Sequence, residues 1–268
     1  MIEEILDAAP LFLLLAVRAL AMIETAPLLS SESNPQVARV ALAGFAAYAA
    51  FPSTQAINTQ GLEMVSLSFL FLIAGEAIIG IIMGFFITII FATFSTAGQF
   101  FSLPMGFAAA ETLDPLSQTE NPLMGQFLNL VAMLVFISIS GFRELFLGGF
   151  WRSVQSINII SLVSGREAVT GMLVSGLSRL FLDAIILALP ILGTLFLTTL
   201  ATGLISKAAP QINILAEGFP IAIITAFMLI FASLPFMIGV FNRIIDSGFA
   251  VIQSLYIEIG QRIMGGGL

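Results

Sequence analysis

The sequence from residue 77 to residue 94 reads AIIGIIMGFFITIIFATF and contains no charged side chain. The uncharged run is longer still, because every residue between Glu76 and Glu111 lacks a charge. A bilayer core about 30 Å thick is crossed by about 20 helical residues with little or no charge. This stretch therefore predicts a helix that is buried in a membrane.

The composition of the whole chain agrees with a membrane protein. Of its 268 residues, 59% are apolar and 9% are charged, and the mean hydropathy is +1.08. A soluble domain has about 45–50% apolar and about 25% charged residues, so this chain lacks the charge to cover a surface in water. The net charge of −7 argues against a nucleic-acid partner, which a basic protein would bind. Membrane lipid and other proteins are the expected partners.

Two missing residue types narrow the possible chemistry. The chain has no Cys and no His, so zinc sites of the usual kind and His-dependent catalytic triads cannot form. A nucleotide-binding GxxxxGK[ST] loop is also absent from the sequence. The sequence therefore predicts no cofactor and no metal site, and it favours a protein without enzymatic activity.

Charge spacing divides the chain into six apolar segments. In hydrocarbon each segment must satisfy its own backbone hydrogen bonds, so a helix is expected, and the ten-residue alternation of a membrane barrel is absent. We predict an all-α integral membrane protein. Four arginines within 143–179 and no base within 95–122 predict that the former is cytoplasmic and the latter external. The predicted segments, interpreted as six crossings, are 8–29, 37–51, 64–94, 123–142, 180–206 and 218–242.

The segments are uneven in length, which suggests that helices pack against protein as well as lipid. Residues 64–94 would form a helix of about 46 Å, longer than a bilayer core, whereas 37–51 is short. Within the long segment, Gly80 and Gly84 have the GxxxG spacing that lets two helices approach closely. The alternative is that glycine is simply common in membrane helices.

Four charged residues fall within or beside apolar segments, where an ionisable side chain is expensive and is a functional candidate. Arg179 and Asp183 are four residues apart on one predicted helix and can pair. Glu76 could meet Arg18 from the first segment, or the interface with another subunit. The structural interpretation is that these charges neutralise one another.

Two irregular stretches separate the predicted helices. The first, residues 100–122, begins with Phe, Met, Gly and Ala and then becomes polar, so its first half is expected to be buried or to line a cavity. Met and Phe beside glycine could close a hole against water and ions, although a turn that merely packs is the alternative.

The second irregular stretch lies within residues 203–220. It predicts either a tight, ordered connection between two helices or a plain hairpin turn. Its candidate turn residues are Pro210, Gln211, Asn213, Gly218 and Pro220.

The motifs in these stretches resemble the FliR/SctT family of type III export-gate proteins. The similarity covers nearly the whole chain in length, segment order and motif position. Its most specific part is the Pro-Gln-x-Asn turn with the preceding Gly-Leu-Ile. The motifs that carry the resemblance are Ala97-Gly-Gln99, Met105-Gly-Phe107, Asp114-Pro115, Leu189-Pro190, Gly203-Leu-Ile-Ser-Lys-Ala-Ala-Pro210-Gln211-Ile-Asn213 and Gly218-Phe-Pro220.

The resemblance implies a fold of bent helical hairpins packed in a hetero-oligomeric helical or ring-like gate. Its partners would be FliP and FliQ, with FlhB and FlhA nearby, in the flagellar basal body of the bacterial inner membrane. Unfolded flagellar proteins would pass through this gate. Residues 1–268 would form a single membrane-embedded domain, with a FliP-like part at about 1–125 followed by a FliQ-like part.

The resemblance also places the family's pore plug on the linker 103–122. The implied plug residues are Pro104, Met105, Gly106, Phe107, Leu113 and Pro115.

Two functions of other classes stay open on the residues alone. One is a stand-alone small-molecule transporter or channel that uses the charges at Arg18, Glu76, Arg179 and Asp183 as a polar pathway. The other is an intramembrane enzyme with Asp183 and Asp246 as an aspartyl pair.

Overall fold

The computed structural model of the protein describes residues 2–31, 34–54, 66–106, 123–157, 159–208 and 214–265. All regular elements within these ranges are helical, which confirms the predicted all-α fold. A short 3₁₀ turn, Phe51–Thr54, follows the second helix. The helices are α1 (Ile2–Thr25), α2 (Gln36–Ala50), α3 (Leu67–Ser102), α4 (Leu123–Ser138), α5 (Gly141–Ser156), α6 (Ile159–Ser164), α7 (Arg166–Ala208) and α8 (Ile214–Gly265).

Several of the described helices are long and apolar enough to cross a membrane. Within the described ranges, three helical stretches are long and apolar enough: Leu67–Ser102, Arg166–Ala208 and Gly218–Ile259. The bent pair α4 and α5 would make a fourth span. The sequence predicts six crossings, and the described part of the chain contains three or four helical stretches that meet these requirements. The predicted segment 37–51 corresponds to α2, whose 15 residues extend only about 22 Å.

Helices α7 and α8 are much longer than their predicted apolar segments. Their 43 and 52 residues correspond to about 65 Å and about 78 Å, far beyond a bilayer core of about 30 Å. Charged residues such as Arg166 and Arg243 mark where an apolar run ends, but they have good helix propensity and do not end a helix. Charge spacing thus locates the apolar runs correctly but underestimates the lengths of the helices that contain them.

Two predicted boundaries need correction. The third apolar segment is predicted to end at residue 94, yet α3 continues to Ser102, because no proline occurs between residue 94 and Pro104. Gly218 and Pro220 were predicted to belong to a turn, and they lie inside α8. Proline removes one backbone donor from a helix, and membrane helices accommodate this loss by local adjustment; α8 contains Pro235 in the same way.

The chain bends sharply between α4 and α5. The two helices meet at an angle of 76°, and Ser140 between them has a left-handed backbone conformation with φ of 58°. That conformation is uncommon for a residue other than glycine and ends α4. The π-helix Glu144–Trp151 follows directly within α5. The predicted single segment 123–142 is thus a helix, a break and the start of a second helix.

The described chain forms two compact units that are not contiguous in sequence. The first contains residues 1–89, 140–176 and 246–268, and the second contains 90–139 and 177–245. In the first unit, α1 buries its apolar face. In the second, phenylalanines of α3, α4 and α8 pack together. Phe94 and Phe241 lie with ring centroids 4.4 Å apart, and Phe91 and Phe136 make an edge contact at 5.5 Å.

Helices α7 and α8 expose much of their apolar surface. Within the most apolar window of each helix, 33% of α7 and 22% of α8 is buried, compared with 61% for α3. Large side chains such as Phe196 and Phe231 are exposed. Surfaces of this kind are stable only against lipid or another protein. The protein is therefore membrane-embedded, as the composition predicts.

Candidate functional site

The start of the linker 103–122 is a tight turn fixed to the end of α3. The backbone N–H of Met105 donates to the carbonyl of Phe101 at 3.2 Å, and that of Gly106 donates to the carbonyl of Leu103 at 3.0 Å. Met105 and Phe101 are both 0% exposed. Met105 therefore anchors the turn, and its burial is one of the two environments that the sequence predicts for the first half of this stretch. The apolar end of α3 continues into the turn, and this continuity favours its burial.

Gly106 is the last described residue in the first turn of the linker, and its backbone conformation favours glycine. Its φ is +88°, a conformation that side chains rarely adopt. The ring of Phe219 on α8 occupies the space where a Cβ would be. An ideal Cβ at Gly106 would contact Cδ1 of Phe219 and lie 2.7 Å from Cε1. Both the backbone conformation and the position of the Phe219 ring thus disfavour a side chain at this position.

The remaining predicted plug and turn residues are divided between described and undescribed parts of the chain. Pro104 is half-buried in the turn that Met105 anchors. Gly218 and Pro220 lie on α8 next to Phe219. The other residues lie outside the described ranges: Phe107, Leu113, Pro115, Pro210, Gln211 and Asn213.

The charged residues of α1 and α3 meet inside the first compact unit. Arg18 is 2% exposed, and its Nε donates to Oε2 of Glu76. The other guanidinium nitrogens donate to Oγ of Ser153 at 3.3 Å and to the carbonyl of Ile157 at 2.9 Å. Each guanidinium nitrogen has a partner, so a buried arginine is satisfied and links α1, α3 and α5. A packed, neutralised pair of this kind does not form an open polar pathway.

The other predicted pair of charges is not joined. Arg179 is exposed on α7, and Asp183, one turn later, is half-buried. The structure describes both side chains and contains no salt bridge between them. Spacing of four residues permits a pair but does not enforce it, because long side chains have several rotamers. Asp246, the other candidate for an aspartyl pair, is exposed on α8.

The predicted GxxxG motif lies where α3 contacts α1. An ideal Cβ at Gly80 would contact the carbonyl of Arg18 and would lie 3.0 Å from the backbone nitrogen of Met22. One at Gly84 would overlap Thr25 and lie 2.7 Å from the carbonyl of Met22. The hydroxyl of Thr88 also donates to the carbonyl of Thr25 at 2.8 Å. The two glycines therefore allow the backbones of α1 and α3 to approach closely.

Sequence reasoning missed several residues that the structure makes important. Phe219 had no signal beyond lying between Gly218 and Pro220. Ser153, which is 0% exposed, looks like an ordinary loop serine in the sequence. Gly125 packs against the backbone of Ser95, and its signal was a small residue in the first turn of an apolar helix.

The site contains no arrangement that would hold a metal ion. Among the described residues, no group of three or more His, Cys, Asp or Glu side chains converges. The described part of the site consists of an anchored turn, a glycine with a positive φ and an aromatic ring packed against that glycine.

Comparison with known proteins identifies the family. The sequence model of the family described as "Bacterial export proteins, family 1" matches residues 9–248. The flagellar biosynthetic protein FliR of Bacillus subtilis is 27% identical over 96% of this chain and 99% of its own length. The protein of that name in Escherichia coli is 29% identical over 90% and 91%, and that in Borreliella burgdorferi is 30% identical over 74% of each chain. The match covers most of the chain, and the chain therefore belongs to the bacterial export proteins of family 1.

Proposed function

We propose that this protein is a subunit of the flagellar type III protein export gate. In this role it forms part of a pore through which unfolded flagellar proteins cross the bacterial inner membrane. The observation that carries the proposal is the family match over residues 9–248, together with relatives that are named flagellar biosynthetic proteins. The apolar helices of the structure support a membrane location.

The linker 103–122 is the proposed seal of this pore. An apolar constriction excludes ions because water leaves a narrow hydrophobic hole. Support comes from the start of the linker, where a buried Met105 and a left-handed Gly106 give the chain a fixed point of departure. The mechanism is passive: an arriving substrate displaces the seal, and other components supply the energy.

The proposed partners are FliP and FliQ within the gate, with FlhB and FlhA beside it. A part at about 1–125 would resemble FliP, and the remainder would resemble FliQ. Support comes from the exposed apolar surface of α7 and α8, which needs a cover of protein or lipid. The charges along the chain offer no basic surface for nucleic acid.

Deleting residues 104–115, or replacing Met105 and Phe107 on either side of Gly106 with small residues, tests the sealing role. We expect ion conductance through the assembled complex to rise while the subunit still copurifies with its partners. The measurement is conductance in a planar bilayer, and the control is a deletion-free complex prepared in parallel. Wild-type conductance in a correctly assembled deletion complex would show that the linker does not seal the pore.

The same preparation separates the export gate from a stand-alone transporter. A transporter predicts substrate flux in vesicles that contain this chain alone, with loss of flux in Glu76→Gln. An export-gate subunit predicts that other gate proteins stay bound in mild detergent and that the chain alone gives no flux.

A further inference from the structure

Gly106 and Phe219 form a contact that the sealing role does not explain by itself. Phe219 is the sixth residue of α8, and Gly106 is the last described residue of the turn after α3. The two belong to the same compact unit. The ring of Phe219 fills the space beside Gly106 that any other residue would occupy with its side chain. A contact between two elements so far apart in sequence suggests a role in positioning.

Met105 and Phe219, on the two sides of this turn, differ in how strongly their surroundings restrain them. Met105 is completely buried and its backbone is hydrogen-bonded to α3, so it cannot move without opening a cavity. Phe219 is 39% exposed, so its ring can leave at a smaller cost. Glycine at position 106 has no side chain to restrict its backbone. The turn therefore has a fixed side at Met105, a flexible residue at Gly106 and a removable support at Phe219.

We propose that Phe219 is a positioning residue for the seal: its ring supports Gly106 and sets the direction in which the chain leaves α3. This inference rests on the proposed function, because it assigns a role within the same seal. It also connects the seal to the beginning of α8. A shift of the first turns of α8 would remove the support from Gly106.

The main test is Phe219→Ala in the complex assembled from full-length subunits, with potassium conductance in planar bilayers as the measurement. We expect conductance to rise about fivefold to tenfold, because the ring no longer supports Gly106. The rise is moderate because a partly exposed aromatic contact contributes less to stability than a fully buried one. Phe219→Leu keeps an apolar side chain that reaches Gly106, and we expect near wild-type conductance. Phe219→Leu is therefore the matched control, because it changes the same position and keeps an apolar side chain. Equal conductance in Phe219→Ala and Phe219→Leu would overturn the inference.

A double-mutant cycle tests the contact itself. Gly106→Ala forces a side chain into the space of the Phe219 ring and also strains the backbone. If the two residues act through one contact, conductance in the variant Gly106→Ala with Phe219→Ala rises less than the product of the two single effects. A rise equal to the product would show independent effects and would overturn the inference.

The outcomes separate this inference from the proposed function. If deletion of 104–115 raises conductance and Phe219→Ala does not, the seal stands and Phe219 has no positioning role. If the deletion leaves conductance unchanged, the sealing function itself is wrong. Copurification with the partner subunits shows whether each variant assembles. Should Phe219→Ala fail to assemble, Phe219→Val replaces it with the same expected rise, since valine is too short to support Gly106.

Discussion

Arg18 shows how a charged residue is accommodated within an apolar helix. Its charge is compensated by Glu76, and its remaining donors bind Ser153 and the carbonyl of Ile157. A buried charge is costly unless it is paired and hydrogen-bonded, and the loss of one partner leaves the other uncompensated. Removing one of the two charges alone is therefore expected to weaken the packing of α1, α3 and α5.

Glu76→Ala is expected to lower the free energy of unfolding by about 3–5 kcal/mol, because the buried guanidinium loses its counter-charge. The double variant Arg18→Leu with Glu76→Leu should recover most of that loss, since apolar residues of similar volume replace a buried pair well. Thermal unfolding in mild detergent is the measurement. Arg143→Ala is the matched control, because Arg143 pairs with Glu144 at 3.5 Å on an exposed surface, and such pairs contribute at most about 1 kcal/mol. A Glu76→Ala variant as stable as the control would disprove the structural role of the cluster.

At the scale of single residues, the sequence predicted which charges deserved attention but not how they would pair. An uncharged background made Arg18, Glu76, Arg179 and Asp183 conspicuous. Pairing depends on tertiary geometry, and the structure joins Arg18 to Glu76 while leaving Arg179 and Asp183 without a salt bridge. Phe219 could not be found in the same way, because a phenylalanine in an apolar chain carries no distinguishing signal.

At the scale of helices, the contact between α1 and α3 depends on two glycines one turn apart. Gly84→Ala is expected to be strongly destabilising, because the added Cβ would overlap Thr25 and press on the carbonyl of Met22. Both obstacles lie on or next to the backbone of α1, so the helices must separate, and a cost of about 1–3 kcal/mol is typical of overpacking. The measurement is thermal unfolding in detergent.

Gly193→Ala is the matched control for Gly84→Ala. Gly193 also lies inside an apolar helix, and nothing lies within 4 Å of an added Cβ. Alanine has the higher helix propensity, by about 1 kcal/mol, so this control should be neutral or stabilising. If both substitutions behave alike, the close approach of α1 and α3 does not depend on Gly84.

The presence of the main helices could be predicted from the sequence, but the residues at which they begin and end could not. The apolar runs gave the presence and order of the main helices, because hydrocarbon requires internally satisfied backbone. The extensions of α7 and α8 beyond their apolar runs carry charges such as Arg166 and Arg243, which are compatible with helix but not with the interior of a bilayer. The break at Ser140 is a backbone conformation that a serine rarely adopts, and composition gives no sign of it.

At the scale of the whole molecule, the described chain does not bury its own apolar surface evenly. The apolar window of α3 is mostly buried, whereas those of α7 and α8 are mostly exposed. Packing within the molecule therefore stabilises α3 more than it stabilises the other two helices. The stability of α7 and α8 depends on whatever surrounds them in the membrane.

Amide hydrogen exchange of the purified chain should follow this difference in burial. In detergent we expect α7 and α8 to exchange faster than α3, because local opening is easiest where few contacts hold a helix. In a complex with the proposed gate subunits, α7 and α8 should become protected and α3 should change little. The chain alone in lipid nanodiscs is the control that separates protein from lipid as the cover. Full protection of α7 and α8 in nanodiscs without partners would mean that lipid covers these helices, and a packed assembly would then lose the support of their exposed surface.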